Sequence, residues 1–233
     1  MLLEIDNLVS GYGRSQVLNG LSIAVEAGER VAVVGRNGMG KSTFAKAVSG
    51  LLPTWSGTVS VDGEVLSKLP AHRRTWAGVG YVPQGRALFP RLTVEQNLLV
   101  GLQGSRPRGR RIPDTVLDAF PILRSRLTQT AGTLSGGEQQ QLAIARCLVG
   151  RPKVLILDEP SEGIQPNLVE LIMDRLKQLA QDSGLGVVLI EQNMDAALRF
   201  AERYVVVQKG AVRHAGPIEE LRDEELVHGF LGV

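Results

Sequence analysis

The stretch Val31-Ala32-Val33-Val34-Gly35-Arg36-Asn37-Gly38-Met39-Gly40-Lys41-Ser42 constrains this chain more than any other. Its apolar opening, bounded by charge before and glycine after, reads as a fully buried strand. Gly35 to Ser42 then fits G-x-x-x-x-G-K-[ST] in full, and Ser42 to Gly50 can run on as a helix. Strand, glycine loop and helix in that order make a phosphate cradle. Gly35, Gly38 and Gly40 let the main chain wrap an anion with its N–H groups turned inward. The helix that follows adds a partially positive N-terminus. Lys41 is then placed to neutralise the β- and γ-phosphates of a nucleotide, Ser42 to ligate Mg²⁺, and Thr43 to bond the α-phosphate. Asn37 lies in the same loop. A chance glycine-rich turn explains none of the flanking strand and helix.

Composition agrees with backbone-to-ligand contact. Glycine is 27 of 233 residues, well above the usual ~7%. Aromatics are 4%, too few for platforms on which bases stack. Lys+Arg 26 against Asp+Glu 24 gives no electrostatic case for nucleic acid. No apolar run approaches the ~20 residues of a membrane span. Met1-Leu2-Leu3 is stopped by Glu4 and Asp6, unlike a secretory signal. Cys147, the only cysteine, excludes an internal disulfide and fits a reducing compartment; on its helix among apolar residues it reads as a buried structural thiol.

Three further buried runs, Val154–Leu157, Val187–Ile190 and Tyr204–Val207, alternate with helix-spaced patterns at Leu168/Leu171/Ile172/Leu176/Leu179 and Met194/Ala197/Leu198/Ala201. This predicts an α/β core with a parallel sheet. The N-terminal region is β-rich, with Val59 and Val61 alternating before an Asp62-Gly63 hairpin turn. Residues 87–150 lack such runs and read as a mostly helical insertion. Arg106-Pro107-Arg108-Gly109-Arg110-Arg111 reads as part of a solvated loop. Asp182-Ser183-Gly184 reads as a helix stop, and His72, His214 and His228 show no zinc spacing.

The second run delivers Asp158 and Glu159 to the strand's C-terminal edge, where α/β sheets bind ligands. Alone, such a run is often a strand ending in solvent. Beside a phosphate loop, Asp158 is expected to hold Mg²⁺ through water and Glu159 to polarise the water that attacks a γ-phosphate.

Leu134-Ser135-Gly136-Gly137-Glu138-Gln139 is more specific still. Ser135 and Glu138 form a capping box ahead of Leu142, Ile144 and Ala145. A well-capped helix start explains Ser135 and Glu138 but not Gly136-Gly137. The reading is that bare N–H groups there form a second anion site.

With these residues in hand, the chain resembles ATP-binding cassette proteins, the nucleotide-binding subunits of ABC transporters. The resemblance runs over essentially the whole chain, its motifs in family order. It implies a P-loop NTPase (RecA-like) core with an N-terminal antiparallel β subdomain and a helical insertion at about 87–150, all one domain over 1–233. It implies ATP and Mg²⁺, and a head-to-tail cassette dimer in which Ser135, Gly136 and Gly137 cover ATP held by the other chain. Tyr12, in Ser10-Gly11-Tyr12-Gly13, matches the aromatic that stacks on adenine. Gln84, in Tyr81-Val82-Pro83-Gln84-Gly85, matches the loop glutamine that senses Mg²⁺ and the γ-phosphate. The insertion is the part such proteins press against a membrane subunit.

Val82–Arg86, Phe89–Val94, Ser135–Ala145 and Glu162–Pro166 look like the branched-chain amino-acid, amide and urea importers, and within them the LivF-like and urea-type second ATPase subunits. That resemblance implies a second, LivG-like cassette, two integral membrane permease subunits, an external solute-binding protein reached through the permease, and no nucleic acid. It implies a peripheral position on the cytoplasmic face of the inner membrane. Two positions depart from the general family. Gln192, in Glu191-Gln192-Asn193, stands where most cassettes place a histidine at the γ-phosphate; it donates a hydrogen bond but carries no proton. Gln165 stands where the family often has an aspartate that links the two cassettes. Both changes are shared by the LivF-like group and suggest unequal ATP sites.

Other P-loop classes fit less well. A GTPase needs an N-K-x-D motif that is absent, and a small-molecule kinase has no use for Leu134–Gln139. A soluble cassette for DNA repair or the ribosome usually carries two cassettes or a long coiled coil, and no heptad run occurs here.

Overall fold

A computed structural model describes residues 1–104 and 111–231; most of the arginine-rich loop expected at Arg106–Arg111 lies outside the described residues. The chain opens with β1 (Leu3–Tyr12) and β2 (Ser15–Val25), followed by β3 (Arg30–Val34), α1 (Lys41–Ser49), β4 (Ser56–Val61) and β5 (Glu64–Val65). β2, β1, β4 and β5 form an antiparallel sheet in that order. Its alternation is plain: Leu3 and Ile5 are buried while Glu4 and Asp6 are exposed. Asp62 (φ 54°) and Gly63 (φ 78°) both turn left-handed, as a tight hairpin requires, so the Asp-Gly reading holds.

Next come α2 (Ala71–Ala77), β6 (Val79–Val82), α3 (Val94–Gly101), α4 (Asp114–Ala119), α5 (Pro121–Ser125) and α6 (Gly136–Leu148). The chain ends with β7 (Val154–Asp158), α7 (Pro166–Ser183), β8 (Gly186–Glu191), α8 (Met194–Phe200), β9 (Arg203–Gln208), β10 (Ala211–Pro217) and α9 (Glu224–Leu231). A second, six-stranded sheet runs β10-β9-β3-β8-β7-β6, parallel throughout except at β10. Every residue of β3, β7 and β8 is buried, as the continuous apolar runs predict. Short β6, broken by Gly80 and flanked by Gly78, escapes the sequence reading.

The period of the strands sorts the core. Val31, Val33, Ile156, Val188 and Ile190 pack with Phe44 of α1 and the first sheet. Leu155, Leu157, Val187 and Leu189 point the other way, onto Leu142, Ile144, Ile172 and Phe200 of the flanking helices. Buried Arg74 on α2 ties the far end of α1, donating from Nη1 to the carbonyls of Ala47 (2.8 Å) and Val48 (3.1 Å). Those carbonyls belong to the last turn, where Arg74 adds to the Gly50 N–H that also reaches Ala47. Among the described residues no helix is long and apolar enough to cross a membrane.

β8 lies between the phosphate-loop strand β3 and the acid strand β7. Three consecutive strand ends therefore open onto one edge: Val34 beside Glu191, and Asp158 beside Ile190. The site is built there.

Candidate functional site

A cleft of about 800 Å³ occupies that edge. Asn37, Gly38, Gly40, Lys41, Ser42 and Thr43 form one wall; Gln84, Glu159 and Gln192 face them across it. Gly35 lies behind the loop and contributes its carbonyl. Gly40 caps α1 in a left-handed conformation (φ 105°), which a side chain rarely adopts, so the helix starts with its N–H groups unobstructed.

Lys41 is 4% exposed. Its ammonium donates to the carbonyls of Gly35 (2.6 Å) and Arg36 (3.1 Å). Burial lowers its pKa, and Glu159, Asp158 and Glu191 pull the other way. A buried ammonium held by loop carbonyls, with one N–H to spare, suits an incoming anion.

Asp158 is 2% exposed and accepts from the hydroxyls of Ser42 and Tyr81, each at 3.1 Å. Burial pushes its pKa up, the two hydroxyls opposing. Among the described residues no Lys or Arg forms an ion pair with it. A buried carboxylate beside a serine hydroxyl, without a cationic partner, is a donor set that fits Mg²⁺. Gln84 adds to that fit. Its amide nitrogen donates to Glu159 (3.1 Å) and Glu162 (3.0 Å), leaving its carbonyl oxygen for a cation.

Glu159 stands at the strand end with φ 50°. For a residue other than glycine this conformation costs of order 1–3 kcal/mol. Its N–H donates to the carbonyl of Ile190 (2.9 Å), so the turn is pinned to β8. Gln192 donates to its carboxylate (2.7 Å) and also to the side-chain oxygen of Asn37. The three residues expected to act in catalysis, Glu159, Gln84 and Gln192, are thus joined directly. Sequence reasoning missed Tyr81 beneath Asp158, Glu162 beside Gln84, and Glu191, which is buried and lines the cleft. Only the Asp158/Glu191 positions in neighbouring strand ends gave any signal for the last.

The remaining expected residues stand apart. Tyr12 is exposed at the end of β1, with the Lys46 ammonium 5.9 Å from its ring centre, and does not line the cleft. Ser135, Gly136 and Gly137 lie at the start of α6, also outside it. The capping box forms as read: Ser135 Oγ accepts from the Glu138 N–H (3.4 Å), and Glu138 accepts from the Ser135 N–H (2.8 Å). The two glycines differ in their surroundings. Gly137 is buried, and a Cβ there would press on Leu168 Cδ1 of α7, so a side chain fits only if Leu168 gives way. Gly136 is half-buried near the Arg86 guanidinium. Gln165 precedes α7 and makes no side-chain cap. Cys147 is half-buried, short of the full burial expected, and desolvation of its thiol pushes its pKa up to about 12. Among the described residues no cluster of His, Cys, Asp and Glu is placed to hold a metal by itself.

The chain is similar to known proteins in sequence and fold. The ABC transporter family model matches residues 18–162. The high-affinity branched-chain amino acid transport ATP-binding protein BraG of Pseudomonas aeruginosa is 41% identical, covering 91% of each chain. The probable branched-chain amino acid transport ATP-binding protein LivF of Archaeoglobus fulgidus is 38% identical over 96% of this chain and 95% of its own. The lipopolysaccharide export system ATP-binding protein LptB of Escherichia coli is 36% identical over 99% and 97%. Among solved structures, a nucleotide-free ATP-binding cassette from an ABC transporter superposes with TM-score 0.84 at 25% identity, covering 97% of both chains. A dimeric bacterial ABC transporter cassette gives 0.79 at 25% identity, over 93% of this chain and 98% of that one.

Proposed function

This chain belongs to the ABC transporter family and is an ATP-hydrolysing, ATP-binding subunit, and from that premise we propose that it powers an importer of branched-chain amino acids, amides or urea. The observation that carries the solute class is the similarity to BraG and LivF over nearly the full length, together with Val82–Arg86 and Glu162–Pro166. The likeness to LptB makes an exporter the competing outcome.

The proposed roles follow from the cleft. The phosphate-loop N–H groups and Lys41 bind the β- and γ-phosphates, with Thr43 at the α-phosphate. Ser42, Asp158 and Gln84 hold Mg²⁺, which when bound screens phosphate charge. Glu159 accepts a proton from the attacking water. Gln192 orients that carboxylate and offers an N–H to the γ-phosphate. Tyr12 supports the adenine from the rim. Hydrolysis then needs a second cassette, since Ser135, Gly136 and Gly137 sit outside their own chain's cleft. We assign them to ATP on a LivG-like partner in a head-to-tail dimer. Residues 1–233 act as a single ATP-binding domain whose helical segment at about 87–150 meets two permease subunits. The external binding protein engages the permease, nucleic acid has no part, and the chain works at the cytoplasmic face of the inner membrane.

The test is reconstitution with the candidate permease pair in vesicles. ATP-driven uptake of labelled leucine, an amide or urea supports the reading. Lipopolysaccharide extraction instead of uptake would replace it.

A further inference from the structure

Glu191 is a buried carboxylate to which the roles above give no work. It is 2% exposed at the end of β8, between the ends of β3 and β7. Its two oxygens accept three main-chain N–H bonds. Oε1 takes Ser161 (3.0 Å), two residues beyond Glu159. Oε2 takes Gln192 (3.2 Å) and Asn193 (3.3 Å). One side chain thus binds the loop that carries Glu159 to the loop that carries Gln192.

Carboxylate chemistry suits that position. An ionised carboxylate is acceptor-only, so both oxygens can serve N–H groups from opposite sides. An amide offers one oxygen and turns its own N–H₂ toward a main-chain donor, so one of the two loops is repelled. Burial raises the pKa of Glu191, opposed first by the Ser161 side chain and then by the N–H bonds from both loops. Burying a carboxylate is costly, and a neutral side chain would fill the space more cheaply. What the acid adds is a fixed relation between two loops that are also linked, among the described residues, by the Gln192–Glu159 bond at 2.7 Å and the Glu159–Ile190 bond at 2.9 Å. Lys41 faces the same group from the phosphate loop, with Asp158 and Glu159 alongside.

We propose that Glu191 is a positioning residue that clamps the Gln192 loop to the Glu159 loop and so holds the Gln192 amide on the Glu159 carboxylate during ATP hydrolysis. This rests on the roles given above to Glu159 and Gln192.

The test is a double-mutant cycle of Glu191→Gln and Gln192→Ala in the full chain with its partner subunits, reading kcat, KM for ATP and thermal unfolding. A clamp predicts that Glu191→Gln lowers kcat about tenfold with KM within about twofold. It also predicts that in the Gln192→Ala background the same change costs under about twofold, because nothing remains to be oriented. Unchanged kcat in Glu191→Gln overturns the proposal, as does an equal fold-loss in both backgrounds or a change confined to KM. Full turnover by Gln192→Ala alone overturns the role of Gln192; if Glu191→Gln then still loses rate, Glu191 acts by another route. Should Glu191→Gln fail to fold, Glu191→Asp, which keeps the charge but withdraws the oxygens, is judged by the same comparison.

Discussion

The cleft at the sheet edge and the start of α6 both combine a helix N-terminus, glycines and an acid, yet their electrostatics are opposite. In the cleft, burial raises the pKa of Asp158 and Glu191 and lowers that of Lys41. In each, burial disfavours the charged form. At α6, Glu138 accepts from the Ser135 N–H, and that bond holds its pKa below the usual carboxylate value. The first region is kept ready for charges the chain does not itself provide. The second satisfies its own acid and leaves exposed Ser135 and half-buried Gly136 as a finished surface. Such a difference suits the split site proposed above, in which one part awaits nucleotide and the other would serve as a lid on a partner cassette.

The largest expected effect tests the reactive side. Glu159→Gln should lower kcat by about 10²–10⁴-fold, the range for a lost general base, while ATP affinity stays near the wild type. Normal turnover in that variant would remove Glu159 from its role. The lid side is tested by Gly137→Ala. The methyl meets Leu168, so we expect destabilisation by about 1–3 kcal/mol, seen in denaturant unfolding and partly relieved by Leu168→Ala. No loss of stability would mean that the glycine is there for something other than packing.

A smaller effect is expected from Gln192→His. A histidine that can become cationic makes a stronger, charge-assisted bond to phosphate, so kcat should rise by up to about tenfold. No change, or a fall, would show that the neutral amide suits this cleft.

The smallest effect contrasts the two acids directly. Asp158 has a raised folded-state pKa, so its favourable contribution is full below its unfolded pKa and is lost as pH rises through the folded value. Asp158→Asn does not titrate. It should therefore melt above wild type at pH 7 without nucleotide, by about 2–4 °C per kcal/mol, the gap closing towards acid pH. Glu138 has a lowered pKa, so its contribution is present at neutral pH and lost as pH falls through the folded value. Glu138→Gln should then melt below wild type at pH 7, with the deficit shrinking as the acid protonates. Two variants shifting the same way at pH 7 would erase the contrast.

Much of this was legible from local spacing. The strand, loop and helix of the phosphate cradle are consecutive, the capping box spans four residues, and the buried runs announce β3, β7, β8 and β9. What stayed hidden depends on partners far apart in the chain. Tyr81 reaches Asp158 across 77 positions, Ser161 reaches Glu191 across 30, and Arg74 reaches Ala47 across 27. No periodicity marks such pairs, because each exists only once the parallel strands have stacked. Gly137 shows the same limit from the other side: its packing against Leu168 on another helix leaves no trace in the residues around it.

The left-handed backbone at Glu159 has a consequence for descent. Glycine at that position would relax the φ of 50° and remove the carboxylate in one step. A copy of this chain freed from the need to hydrolyse ATP can therefore drift downhill in energy as it loses its chemistry. Retention of glutamate there in a relative marks selection still acting on turnover rather than on folding.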